Sequence, residues 1–322
     1  MKLLSKILLP VPTRSCHASS LCSVPDGLLA VWFGGHHESA DDVEIWMSRG
    51  EPDGDGHFTR WSEAVQMSRT TDEACWNPVL WADPRTGGRD VSLFFKRGKN
   101  IAPWKTFVRR SRDGGRTWDE ERELCPGDET GGRGPVKDKP LLLRDGTLLA
   151  GASHENPDGT VWRAFFDRSE DGGLTWERTD YLETERPVRL IQPTLWEDGE
   201  GVHALMRSDS GFIWRTDSAD GGKHWSPAYP TDLPNNNSGI DLTALPDGRL
   251  ALCSNPVGSD WGARTPLTLS VSRDGGKSWI RELDFVRGPG EYSYPAVIFA
   301  GDRLICTFTW RRERIMAAEV SL

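Results

Sequence analysis

The sequence lacks any apolar run near the ~18 residues that a membrane-spanning helix needs, and it shows no sustained i, i+3, i+4, i+7 apolar pattern. A spanning helix is therefore not expected, nor is a fold of long amphipathic helices, nor a membrane partner. Positive charge is also short. With 39 Lys and Arg against 48 Asp and Glu, the formal net charge is -9, so a broad phosphate-binding face, and with it a nucleic-acid partner, is not expected. Any anion site must be a local gathering of Arg and Lys. The six cysteines, Cys16, Cys22, Cys75, Cys125, Cys253 and Cys306, include no CxxC pair. Free, buried thiols in a reducing compartment are the expectation, rather than a disulfide framework. The stretch Met1 to Pro10 starts with a basic residue, but Ser5 and Lys6 interrupt its apolar run and no small-x-small cleavage site follows. It reads as a first strand, and a cytoplasmic location is the expectation that follows.

What the chain has in quantity is 15 Trp and 34 Gly beside a modest 37% hydrophobic content, which describes short strands, tight turns and aromatic wedges. The turn Ser-x-Asp-Gly-Gly-x-x-Trp occurs four times, at Ser111–Trp118, Ser169–Trp176, Ser218–Trp225 and Ser272–Trp279. Its aspartates Asp113, Asp171, Asp220 and Asp274 are 58, 49 and 54 positions apart (171−113, 220−171 and 274−220), a period suited to a four-stranded propeller blade. In such a turn Asp bonds nearby amides, Gly accepts positive φ and Trp wedges into the hairpin base. These duties are structural.

A second series places an apolar strand after a turn. Pro25-Asp26-Gly27, Gly88-Arg89-Asp90, Arg144-Asp145-Gly146, Glu197-Asp198-Gly199, Pro246-Asp247-Gly248 and Gly301-Asp302 each precede one. Six units predict an all-β, six-bladed propeller of four-stranded antiparallel blades occupying residues 1–322 as one domain. The first blade carries a degenerate hairpin around Ser48-Arg49 and Trp61, and the last closes by pairing the Arg314 to Val320 strand with the N-terminal one. Ring closure leaves no exposed sheet edge.

The four turns match the Asp-box, or BNR repeat, and the whole chain resembles the bacterial members of the sialidase (neuraminidase) superfamily. That resemblance implies three arginines clamping a substrate carboxylate, a Tyr nucleophile paired with a Glu, and an acid on a mobile loop of the first blade. On this chain Tyr292, in Glu291-Tyr292-Ser293-Tyr294-Pro295, matches the nucleophile segment, with Tyr294 a close rival. Arg207 and Arg264 resemble the second and third arginines. His17 stands where the first arginine is expected, and Gln192 where the Glu partner is expected. A histidine cannot make a permanent bidentate clamp, and a glutamine cannot accept a proton.

Replacement cations are available in Lys96, Lys137, Lys139 and Arg312, and Glu155 is a further carboxylate at a strand end that can serve as base. The loop Gly34 to Asp42 supplies Glu38, Asp41 and Asp42 as candidate acids, while its His36-His37 pair has no spaced third ligand and gives no metal site. Asn77 and Asn237 are candidate binders of sugar hydroxyls. No cofactor is expected.

These residues lead to an exo-sialidase-type glycoside hydrolase releasing a terminal acidic sugar, sialic acid or a related keto-sugar acid, from an acidic mono- or oligosaccharide substrate. His17 and Gln192 favour two alternatives. One is a uronate-directed glycosidase or lyase in which His17 or Tyr292 moves a proton. The other is a carbohydrate-binding propeller without catalysis.

Overall fold

The structure, a computed structural model, describes residues 1–99, 104–156 and 158–322. Its architecture grows from the repeated turn. In the first copy, Ser111 Oγ donates to Asp113 Oδ1 at 2.7 Å and accepts from Gly115 N at 2.8 Å, Thr117 N donates to Asp113 Oδ1 at 2.9 Å, and Trp118 Nε1 donates to Gly115 O at 3.1 Å. The copies at Asp171, Asp220 and Asp274 repeat all four bonds. The second glycine is obligatory for two reasons. At Gly115 φ is +79°, and a Cβ would stand 2.4 Å from Leu29 Cδ1 of the neighbouring blade; the turn both reverses the chain and docks one blade on the next.

Each such turn joins the third and fourth strands of a blade. Blade 1 contains Ser15–Val24, Gly27–Gly35, Glu44–Glu51 and Arg60–Trp61, with Val65–Gln66 added to its third strand. Blade 2 runs Cys75–Ala82, Val91–Arg97, Lys105–Ser111 and Arg122–Glu123; blade 3 runs Leu141–Leu142, Leu148–Glu155, Trp162–Ser169 and Glu177–Arg178. Blade 4 comprises Leu190–Glu197, Val202–Ser208, Phe212–Ser218 and Tyr229–Pro234, and blade 5 Asp241–Ala244, Leu250–Ser254, Leu267–Ser272 and Ile280–Val286. Blade 6 takes Tyr292–Ala300, Arg303–Trp310 and Arg314–Ser321 from the end of the chain and Lys2–Leu8 from its start. That last pairing, from Lys2 opposite Ser321 to Leu8 opposite Met316, closes the ring.

All pairings within blades are antiparallel, and no α-helix occurs among the described residues, whose one helical turn is the 3-10 segment Pro84–Thr86. The degenerate first hairpin is present too: Gly50 pairs with Trp61, whose indole lies 3.0 Å beneath the position of a Gly50 Cβ.

Burial follows strand position. The second strands are mostly apolar and almost wholly buried: Val91–Arg97 and Gly27–Gly35 are buried along their whole length. The outer Lys2–Leu8 strand instead alternates exposed and half-buried residues. Trp32, Trp196, Trp214, Phe94 and Phe308 are fully buried between blades, each contributing on the order of 2–3 kcal/mol of transfer free energy. The six thiols are unpaired, five of them buried and Cys125 half-buried.

Candidate functional site

Near the axis every blade makes the same backbone move. In or just before the innermost strand of each blade, one non-glycine residue has φ in the left-handed region: Ala18 (53°), Asn77 (42°), Lys137 (64°), Gln192 (57°), Asn237 (58°) and Tyr294 (52°). In blades 1, 2, 4 and 6 it lies within a register shift of the innermost strand, between His17 and Ser20, Trp76 and Val79, Ile191 and Thr194, and Ser293 and Ala296. A bulge re-aims side chains, and non-glycine residues hold this conformation only where surrounding structure enforces it. The side chains from different blades then meet. A Cβ on Gly239 of the blade 4–5 connection would touch Lys137 Cε at 3.0 Å, Gln192 Oε1 at 3.3 Å and Tyr294 Cδ1 at 3.3 Å.

Tyr294 is the centre of the cluster. Its ring lies 4.2 Å from the His17 ring, and the Arg207 and Arg264 guanidinium carbons stand 5.7 and 5.4 Å from its centroid. Arg207, at the end of the second strand of blade 4, donates from Nη1 to the Tyr294 hydroxyl at 2.5 Å and from Nε to Asn237 Oδ1 at 2.7 Å. Asn237 in turn donates to Asp260 Oδ1 at 2.7 Å, so it orients the arginine. The indoles of Trp162 and Trp261 flank the same guanidinium at 5.1 and 5.8 Å.

Arg264 and Arg312 share one carboxylate. Arg264 Nη1 and Arg312 Nε donate to Glu291 Oε1 at 2.7 and 2.9 Å. Burial alone would raise the Glu291 pKa, but the two arginines outweigh it and hold the group ionised below the usual carboxylate range. Arg312 sits on the tight Trp310–Arg314 turn with φ 58°, its carbonyl accepting from Cys16 N at 2.9 Å, and its Nη1 pairs with Glu38. It thereby reaches the place next to His17 that no blade 1 arginine occupies. His17 is buried, its Nδ1 2.9 Å from Thr309 Oγ1. Burial, followed by the charges of Arg312, Arg264, Arg207 and Lys137, pushes its pKa well below the ordinary value, so the imidazole is neutral.

The other expected residues fall in several places. Gln192 lies in the cluster, its Oε1 buried without a partner among the described residues, and Asn77 is buried on the innermost strand of blade 2. Lys137 is consumed by Asp138 Oδ1 at 2.9 Å, Ile240 O at 2.7 Å and Pro295 O. Lys139, half-buried, binds both Asp241 oxygens at 2.8 Å and Leu242 O. Lys96 is fully buried, donating to Thr106 Oγ1 at 2.8 Å and Arg133 O at 2.5 Å; burial lowers its pKa to about 7. In the blade 1 loop, Asp42 accepts from His36 N through both oxygens at 3.1 Å, which makes it a loop staple, Asp41 is exposed, and Glu38 reaches Arg312.

Tyr292 is not in the cluster. Its ring packs on Trp310 at 4.7 Å within the core between blades 5 and 6, and its hydroxyl donates to Pro289 O at 3.1 Å. The bulge after Ser293 separates the two tyrosines and turns Tyr294 to the axis. Sequence reasoning also missed Glu291 as the shared counter-charge. One signal for the axis was available: Asn77-Pro78, Gln192-Pro193 and Tyr294-Pro295 place the same x-Pro step in three inner strands.

Known structures share this fold. The Hadza microbial sialidase Hz136 superposes with a TM-score of 0.80 at 16% identity, over 96% of this chain and 66% of that one. A Dyadobacter fermentans protein of unknown function gives a TM-score of 0.77 at 13% identity, covering 100% of this chain and 99% of that one. Trypanosoma rangeli sialidase in complex with the inhibitor DANA gives 0.73 at 14% identity, over 95% of this chain and 55% of that one. The chain thus spans less than two thirds of either sialidase's length. No curated protein matches it by sequence. At these identities the likeness is one of fold, a six-bladed β-propeller. The family model described as BNR repeat-like domain matches residues 26–306, most of the sequence, and the chain belongs to that family.

Proposed function

We propose that the chain acts on a saccharide ending in an acidic sugar, cleaving that sugar's glycosidic bond at the propeller axis. The observation that carries this reading is the convergence of Arg207, Arg264 and Arg312, from three different blades or their connections, around Tyr294 and neutral His17. Arginine forks hold carboxylates bidentately, and each of the three keeps guanidinium N–H groups without a partner among the described residues. A substrate carboxylate seated there brings its ring beside the Tyr294 oxygen. The hydrogen bond from Arg207 fixes the direction of the phenol oxygen, which suits it to attack an anomeric carbon or to balance positive charge developing there.

Turnover of fluorogenic sialosides and of uronate-terminated oligosaccharides tests the proposal. Tyr294→Phe is expected to lower turnover by on the order of 100-fold or more while Tyr292→Phe leaves it within a few-fold. Equal effects of the two substitutions would refute the assignment. A second reading, elimination on a uronate, is favoured by the Tyr294 hydroxyl held against Arg207, since a phenol oxygen so placed can take a proton next to a bound carboxylate, whereas the burial and cations around His17 oppose its protonation. Ultraviolet-absorbing unsaturated products would distinguish it.

A further inference from the structure

Glu155 ends the second strand of blade 3, opposite Trp162, whose indole packs on Arg207. Its carboxylate is half-buried and makes no hydrogen bond or ion pair among the described residues. The fields of two cations act on it, Arg207 from blade 4 and Lys96 from blade 2. Lys96 is kept there by a tight loop. A Cβ on Gly132, at φ +70°, would lie 2.1 Å from Ser153 O, so the loop rests on the strand that ends in Glu155. The carbonyls of Gly132, Arg133 and Gly134 from that loop surround the Lys96 ammonium. The result is a carboxylate whose cross-strand neighbour, Trp162, packs on the arginine that touches the Tyr294 hydroxyl, with no structural bond to occupy it. Burial pushes its pKa up to about 6 although Arg207 and Lys96 pull it back, so both protonation states are populated near neutrality.

We propose that Glu155 is the general acid–base carboxylate of the axial site, an assignment that rests on the glycosidase reading above. Protonated Glu155 gives its proton to the bridging oxygen as the sugar–oxygen bond breaks and that bond's electron pair passes to the oxygen. Water then supplies the hydroxyl at the sugar carbon, and its remaining proton returns to the Glu155 carboxylate. Gln192 cannot do this, because an amide does not exchange a proton in this way.

The test pairs two acidic glycosides of one sugar, a 4-nitrophenyl glycoside whose leaving group needs no protonation and a methyl glycoside whose leaving group does. Glu155→Gln is expected to lower kcat for the methyl glycoside by on the order of 100-fold or more, to lower it less than 10-fold for the nitrophenyl compound, and to remove an ionisation near pH 6 from kcat/KM. Circular dichroism and melting confirm the variant is folded. Equal losses on the two substrates, or an unchanged pH profile, overturn the assignment while leaving the glycosidase reading intact. A wild-type protein that binds the acidic sugars by calorimetry but cleaves neither glycoside overturns the assignment and the glycosidase reading with it. Absence of binding refutes the anion site itself.

Discussion

The rim and the axis of this propeller treat their carboxylates in opposite ways. At the rim, the Asp-box aspartates are stabilised as anions. Ser278, by hydroxyl and amide, lowers the Asp274 pKa to about 2, and at Asp171 the bonds from Thr175 overcome the effect of burial to reach about 2 as well. At the axis, burial raises Glu155 to about 6 and pushes Asp138 upward too, against the pull of neighbouring cations. The rim repeats one bonding scheme in four blades, whereas the axis repeats only a backbone conformation and fills it with Ala18, Asn77, Lys137, Gln192, Asn237 and Tyr294. Carboxylates pushed towards their neutral form, in the same part of the fold as residues in strained backbone, are what the proposed axial site requires and the rim does not.

That contrast can be broken or sharpened by substitution. The largest effect is expected for Arg207→Ala, which should weaken binding of an acidic sugar by on the order of 100-fold, about 2.7 kcal/mol, with melting little changed by comparison. Asp171→Ala should do the reverse, lowering Tm by about 2–4 °C while leaving affinity alone, since its carboxylate serves only its own turn. Glu38→Gln removes the exposed partner of Arg312 and should raise affinity for an acidic sugar about 2–5-fold.

The smallest effects are on the pH dependence of stability, and their signs differ. The depressed Asp171 and Asp274 contribute stability that is present above their ordinary value of 3.8 and lost as pH falls towards about 2. Glu155, raised from 4.5 to about 6, contributes stability below its ordinary value and loses it as pH rises through 6. Glu155→Gln should therefore melt higher than the wild type above pH 6, by roughly a degree or two, and the gap should close below pH 4.5. A gap that widened at low pH would contradict the burial of this carboxylate.

The rim was legible in the sequence because its chemistry is local. In each Asp-box turn the Ser, Asp, Gly and Trp residues bond within eight positions, and the six apolar second strands follow their own turn signals. The axis was only partly legible because it joins segments far apart in the chain. Arg207 and Arg264 were found from their place before an Asp-box. Strand alternation puts Tyr292 and Tyr294 on one face, and only the bulge after Ser293 separates them. The substitution of His17 for an expected arginine pointed to a weakened clamp with Arg312 among the replacement cations, and Arg312, folded back by the blade 6 turn onto the start of blade 1, shares Glu291 with Arg264. Contacts across the ring closure leave no local pattern to read.

The central claim is that the axial arginines hold a sugar carboxylate. Calorimetric titration of an acidic monosaccharide and of its carboxamide, into the wild type and Arg207→Ala, tests it most directly. The account predicts that the acid binds the wild type about 100-fold more tightly than the amide and that Arg207→Ala erases most of this preference. Equal binding of acid and amide, or a preference that survives the substitution, would contradict it.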